Sequence, residues 1–197
     1  MYKNQIDWKQ GEWSRVPENA QVKNGILIAK AMQGSDYWEK TYYGFQHGNG
    51  HSLLKEWDLA DAIEVSFSLK TFHGLYDQAG IMIWQNQQQW VKAGVEINDH
   101  VPHVGAVVTN GQSDWSLSPV PEWKDKEKVT IRVSFFDQSL IIRAKAAGEL
   151  WRTVRVCPFD TNSKTKAGPY FCAPKSDNFT VHFNSWVKTS PDEDLHK

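Results

Sequence analysis

Apolar and polar residues alternate along most of the chain with a period of two, in runs too short for anything but strands. Nine such runs stand out: GILIAKA (25–31), AIEVSFSLK (62–70), GIMIW (80–84), WVKAGVEI (90–97), VGAVVT (104–109), VTIRVSF (129–135), LIIRAKA (140–146), WRTVRVC (151–157) and FTVHFNSW (179–186). Their Val, Ile and Phe content agrees with that assignment. AIEVSFSLK is the clearest, with Ile63, Val65, Phe67 and Leu69 facing inward and Glu64, Ser66, Ser68 and Lys70 outward. QNQQQ (85–89) and FDQS (136–139) each join two runs as hairpin connections. No amphipathic stretch of ten or more residues predicts a helix. Short strands at regular spacing with turn signals between them predict an all-β sandwich. With no internal repeat and no linker, the 197 residues read as a single domain, 1–197, whose charged end SPDEDLHK (190–197) is expected to fray.

One run has two unlike faces. In WVKAGVEI, Val91, Ala93, Val95 and Ile97 form a core face, while Trp90, Lys92, Gly94 and Glu96 form the other. Lys92 and Glu96 are ~13 Å apart along an extended strand and therefore need partners from neighbouring strands. The face is either a solvated surface with cross-strand ion pairs or the floor of a site for a polar ligand. Gly94 favours the floor, because glycine inside a strand makes room for a close approach.

Composition narrows the function classes. A net charge of −1, from 22 basic and 23 acidic residues, leaves no electrostatic footprint for nucleic acid. No stretch approaches the ~20 apolar residues of a membrane span. MYKNQIDWKQ carries no secretory signal, and Cys157 and Cys172 read as free thiols, so a cytoplasmic setting is expected, with a secreted protein lacking its signal as the alternative. Ten tryptophans exceed what a core requires and suggest stacking or interface roles.

Candidate chemistry concentrates in SDYWEKTYYGFQHGNGH (35–51), DQAGIMIWQNQQQWVKAGVE (77–96) and VVTNGQSDWS (107–116). His47, His51, His73, His100 and His103 show no metal-ligand spacing, so neither a metal nor any other cofactor is expected. EWDLAD (56–61) approaches a carboxylate strand of glucanase type but reads as the turn before strand 62–70. There is no G-x-S-x-G, nucleotide loop or CxxC.

The three stretches, in order, resemble a bacterial and fungal family of regulation-of-enolase-like proteins within the concanavalin A-like lectin/glucanase superfamily. The resemblance rests on Trp38, Thr41, Tyr43-Gly44-Phe45 and Asn49-Gly50-His51; on Asp77-Gln78-Ala79-Gly80; on Trp90, Lys92, Gly94 and Glu96; and on Val107 to Ser116. His47-Gly48 departs from it, a charged residue being expected ahead of Asn49. It implies a jelly-roll sandwich of two antiparallel sheets and no known reaction. Its name alone implies a link to enolase.

Together these readings predict that Tyr43, His51, Asp77, Gln78, Trp90, Lys92, Glu96, Asp114 and Trp115 converge on one concave surface. There carboxylates, amide, ammonium and rings would hold a sugar or sugar-derived small molecule, and Glu96 would have a perturbed protonation through its cationic neighbour. The leading function is a non-catalytic binding or regulatory protein in carbohydrate metabolism. The alternatives are a carbohydrate-active enzyme using Glu96 with Asp77 or Asp114, and a protein-interaction module acting on a glycolytic enzyme such as enolase.

Overall fold

The computed structural model describes residues 2–194. Its strands, in chain order, are β1 (Lys3–Gln5), β2 (Glu12–Trp13), β3 (Asn19–Lys23), β4 (Ile26–Lys30), β5 (Tyr37–Glu39), β6 (Gln46–Gly48), β7 (His51–Glu56), β8 (Ala62–Phe67) and β9 (Gln78–Asn86). They continue as β10 (Gln89–Asn98), β11 (Val101–Asn110), β12 (Ser113–Pro119), β13 (Val129–Phe136), β14 (Ser139–Ala146), β15 (Arg152–Pro158), β16 (Lys166–Cys172) and β17 (Thr180–Thr189).

Two antiparallel sheets result. The first runs β15-β14-β13-β8-β17-β4-β3, with β1 pairing the second half of β17. The second runs β12-β11-β10-β9-β16-β7-β2. The inward residues of both sheets merge into one core, in which Ile63, Val65, Phe67 and Leu69 meet Val91, Ala93, Val95 and Ile97. Burial of these faces is the main force holding the sandwich closed. Trp186 and Trp123 are fully buried in it, so part of the tryptophan excess is core. Cys157 and Cys172 lie in different sheets as free thiols.

Each outer face is covered in part. On the first sheet, Glu64 accepts from Arg132 at 2.9 Å, and Arg132 also donates to Asp192 at 2.9 Å. Asp192 accepts from Ser134 Oγ at 2.7 Å, and Arg143 donates to the Asp194 carbonyl at 2.9 Å. One of the charges that suggested a frayed end, Asp192, thus has buried partners, and the backbone of residues 190–194 lies across the sheet, while 195–197 fall outside the described residues.

On the second sheet, a small hairpin of β5 and β6 lies over the outer face. A second apolar cluster forms beneath it from Tyr37, Trp38, Leu54, Met82, Trp90, Val107, Tyr170 and Cys172. The hairpin is pinned to the sheet where the Glu39 N–H donates to Ser113 Oγ at 2.9 Å. It covers the Trp90 end of β10 and leaves the Glu96 end open. That partial cover positions the site.

Candidate functional site

The uncovered half of the second sheet is the floor of a cavity of about 510 Å³. Gln78, Lys92, Glu96 and Val107 rise from the sheet, and Asp36 faces them from the loop before β5. Trp38, Tyr43, Phe45 and His47 form one wall, Trp115 a second, and Leu75 and Tyr76 a third. The rings brace one another: Trp38 meets Tyr43 and Trp115 edge-on at centroid distances of 5.5 and 5.8 Å, and Tyr43 stacks on Phe45 at 5.2 Å. Such contacts fix ring orientation while leaving apolar faces toward the cavity.

Lys92 is the polar centre of the floor, only 5% exposed. Its ammonium donates to Gln78 Oε1 at 2.8 Å and to Asp36 Oδ1 at 3.1 Å. Burial works against the charge, but the neighbouring carboxylates, Asp36 foremost, outweigh it and hold the Lys92 pKa above its usual value. Asp36 is placed by the Asn49-Gly50-His51 segment. Asn49 Oδ1 accepts from the Asp36 N–H at 3.0 Å, while Asn49 Nδ2 donates to the Gly34 carbonyl.

Glu96 is in the opposite state. Among the described residues its carboxyl group accepts no hydrogen bond. Burial pushes its pKa from 4.5 up to about 7, Asp36 adds to the rise, and Lys92 opposes it. The perturbation expected from the cationic neighbour therefore exists, but its leading cause is burial and its direction is upward. At neutral pH the site holds an ion pair beside a carboxyl group that is as much acid as base.

Five of the nine residues expected to converge do so: Tyr43, Gln78, Lys92, Glu96 and Trp115 all line the cavity. The other four lie elsewhere. Trp90 is buried beneath the hairpin, its ring 5.8 Å from that of Tyr37. His51 is fully buried and ties two loops together, accepting from the Met32 N–H at 3.1 Å with its other nitrogen on the Arg15 carbonyl. Burial lowers its pKa and favours the neutral ring. Asp77 closes the turn that carries Leu75 and Tyr76, accepting from the Gly74 N–H at 2.7 Å. Asp114 faces away: the turn ends at Gln112 and a strand begins at Ser113, so alternation sends Trp115 to the cavity and Asp114 to Arg155 at 2.7 Å.

The cavity also gathers Asp36, Trp38, Phe45, His47 and Tyr76, which the expected set left out, although Trp38 and Phe45 were among the residues carrying the family resemblance. The signal for Asp36 was the unpaired Lys92, which required a carboxylate partner. The structure also corrects the reason for Gly94. A Cβ there would fall 2.1 Å from the Ala79 carbonyl oxygen, so the close approach is by the neighbouring strand and not by a ligand. Among the described residues, no three His, Cys, Asp or Glu side chains are placed to share a metal ion, and no helix is long and apolar enough to cross a membrane.

Three comparisons place the chain among known proteins. Residues 13–191 match the family model described as "Protein of unknown function (DUF1349)". The chain is 32% identical over 182 residues to "Regulation of enolase protein 1" of Saccharomyces cerevisiae, covering 92% of this chain and 90% of that protein. Among solved structures, a functionally unknown protein from S. cerevisiae superposes with a TM-score of 0.83 at 29% identity, over 95% of this chain and all of that one. A xylan β-1,4-xylosidase from Bacillus halodurans superposes with a TM-score of 0.71 over 95% of this chain but only 39% of its own length. At 14% identity that likeness concerns the fold alone.

Proposed function

The chain belongs to the family of proteins of unknown function DUF1349, and from that premise and its pocket we propose that it is a non-catalytic binding module for a sugar or sugar-derived small molecule. One observation carries the reading: aromatic walls surround a buried Lys92–Asp36–Gln78 cluster at the floor of one cavity. Concave, largely apolar sites with a few placed polar groups are where small molecules bind. Rings supply stacking area, and the floor supplies donors and acceptors for hydroxyl groups.

Binding is favoured over hydrolysis by where the carboxylates lie. Asp77 and Asp114, the partners an enzyme reading would give Glu96, are occupied outside the cavity. Asp36 does share it, but its Oδ1 already accepts from Lys92, Gln78 and the Tyr37 N–H. Its charge is paired with the Lys92 ammonium at 3.1 Å, which weakens it as a nucleophile while leaving Oδ2 to accept from a ligand hydroxyl. Release of nitrophenol from aryl glycosides is therefore expected to stay at the background rate.

The relative named for enolase regulation supports a regulatory role in carbohydrate metabolism, with enolase as the partner to test, and the two free buried thiols suit a cytoplasmic setting.

Titration with mono- and disaccharides should change tryptophan fluorescence saturably, since Trp38 and Trp115 line the cavity. Trp115→Ala should weaken binding by about 1–2 kcal/mol, the loss of one aromatic anchor. No saturation at millimolar levels of any sugar, sugar phosphate or sugar acid would end the small-molecule reading and leave protein interaction in its place.

A further inference from the structure

The cavity floor also bears on the charge of its ligand. We propose that the ligand is an uncharged polyol, docked through adjacent hydroxyl groups on the Lys92–Asp36 pair and on Glu96, and that its phosphorylated or carboxylated counterparts are rejected. This rests on the small-molecule reading of the same cavity.

The hydrogen-bonding capacity left on the floor supports it. The Lys92 ammonium has three N–H groups, of which Asp36 and Gln78 take two. Asp36 Oδ2 and both Glu96 oxygens accept no hydrogen bond among the described residues. A hydroxyl group both accepts and donates, so one hydroxyl can accept from Lys92 while donating to Asp36 Oδ2. A neighbouring hydroxyl then reaches Glu96, which can act as donor or acceptor near neutral pH. The apolar face of the ring lies against the aromatic wall. A phosphate or carboxylate oxygen can only accept, and at the floor would find a single free N–H beside two carboxyl groups, the other donors of the lining, on Tyr43, His47, Tyr76 and Trp115, standing on the walls.

The charge census points the same way. Anion sites gather several donors: an arginine fork, a helix N-terminus or a nest of backbone N–H groups. Among the described residues lining the cavity there is no arginine and no helix. The buried cation is already neutralised by Asp36 at 3.1 Å. The other lysine of the lining, Lys175, is exposed at the rim. Ionisation of Glu96 makes the floor net negative, which further disfavours an anion.

The test uses matched pairs on the full chain at pH 7.5: glucose against glucose 6-phosphate and glucuronic acid, and galactose against galacturonic acid, by calorimetry or fluorescence. The neutral member should bind at least tenfold more tightly than either anion. Asp36→Asn frees the Lys92 charge while keeping an oxygen for the Tyr37 N–H, and should narrow that ratio. Glu96→Gln, whose amide disturbs the fold less, should narrow it as well; circular dichroism checks folding of both. Equal or tighter binding of the anions overturns the charge inference and leaves the small-molecule reading intact. An unchanged ratio in both folded variants also overturns it. Binding of neither member overturns both.

Discussion

Glu96 owes its raised pKa to its position on β10. The strand carries it past the edge of the β5–β6 hairpin, far enough into the cavity to lose water but without a hydrogen-bond donor. The folded value of about 7 lies above the ordinary 4.5, so between these values the folded state binds more protons than the unfolded chain. Stability contributed by the protonated form is complete below the ordinary value and is lost as pH rises through about 7. Two to three pH units correspond to at most about 3–4 kcal/mol, and partial exposure reduces it. Urea unfolding should thus show the native protein losing stability between pH 5 and pH 8 relative to Glu96→Gln. Parallel pH profiles would contradict the burial of this carboxyl group. At this scale the sequence was half legible. Alternation along β10 placed Lys92 and Glu96 together, but it could not bring in Asp36, which arrives from a loop 56 residues away. His51 and Asp77 were recognisable as special, yet their polarity satisfies backbone groups and not a ligand.

Strands were legible wherever one face was apolar, and all nine alternating runs are strands. Those that alternation missed are short and exposed, as β1 and β3 are, partly exposed at a sheet edge, as β12 is, or buried on both faces along most of their length. β16, KAGPYFC, is of the last kind: Phe171 enters the main core and Tyr170 the cluster under the hairpin, so no polar face marks the period. Its Pro169 also argues against an inner strand. The structure accommodates it because the ladder to β7 has no partners at Gly168 and Pro169. Glycine plays the reverse role across the floor, where Gly80, Gly94 and Gly105 face one another on three adjacent strands. Added Cβ atoms at Gly94 and Gly105 would lie 2.1 Å from carbonyl oxygens of neighbouring strands, which cannot move without opening the ladders. Gly94→Ala should therefore cost about 2–4 kcal/mol in chemical denaturation, well beyond an ordinary surface substitution. A loss below about 0.5 kcal/mol would show that the strands can separate there freely.

In the whole molecule, the two outer faces are each covered by an extra segment, the hairpin on one sheet and the chain end on the other. Neither cover was legible, because each is chosen by tertiary partners and not by its own pattern. The chain end makes the separation testable. Asp192 bridges Arg132 at 2.9 Å and Arg143 at 3.4 Å, and the Ser190 and Asp194 carbonyls take further guanidinium donors. Burial opposes the Asp192 charge, yet the hydrogen bonds from Arg132 and Ser134 and the two arginine charges outweigh it and hold the pKa below 3.8. Truncation after Thr189 would strand both arginines on a face that Glu64 alone cannot neutralise. Breaking a buried pair costs about 3–5 kcal/mol, and water entering the uncovered face brings the expected loss to the lower end. Asp192→Asn keeps the shape and should lose less. A depressed carboxylate pKa contributes stability that is present above the unfolded value and lost as pH falls through the folded one. The difference between the native protein and Asp192→Asn should accordingly be full at pH 7 and shrink at strongly acid pH. The cavity lies on the opposite sheet, so ligand affinity of either variant should match the native protein wherever it remains folded. Weakened binding by folded Asp192→Asn would mean that the two faces communicate through the core, and a truncation without thermal destabilisation would mean that the chain end contributes nothing to holding the sandwich.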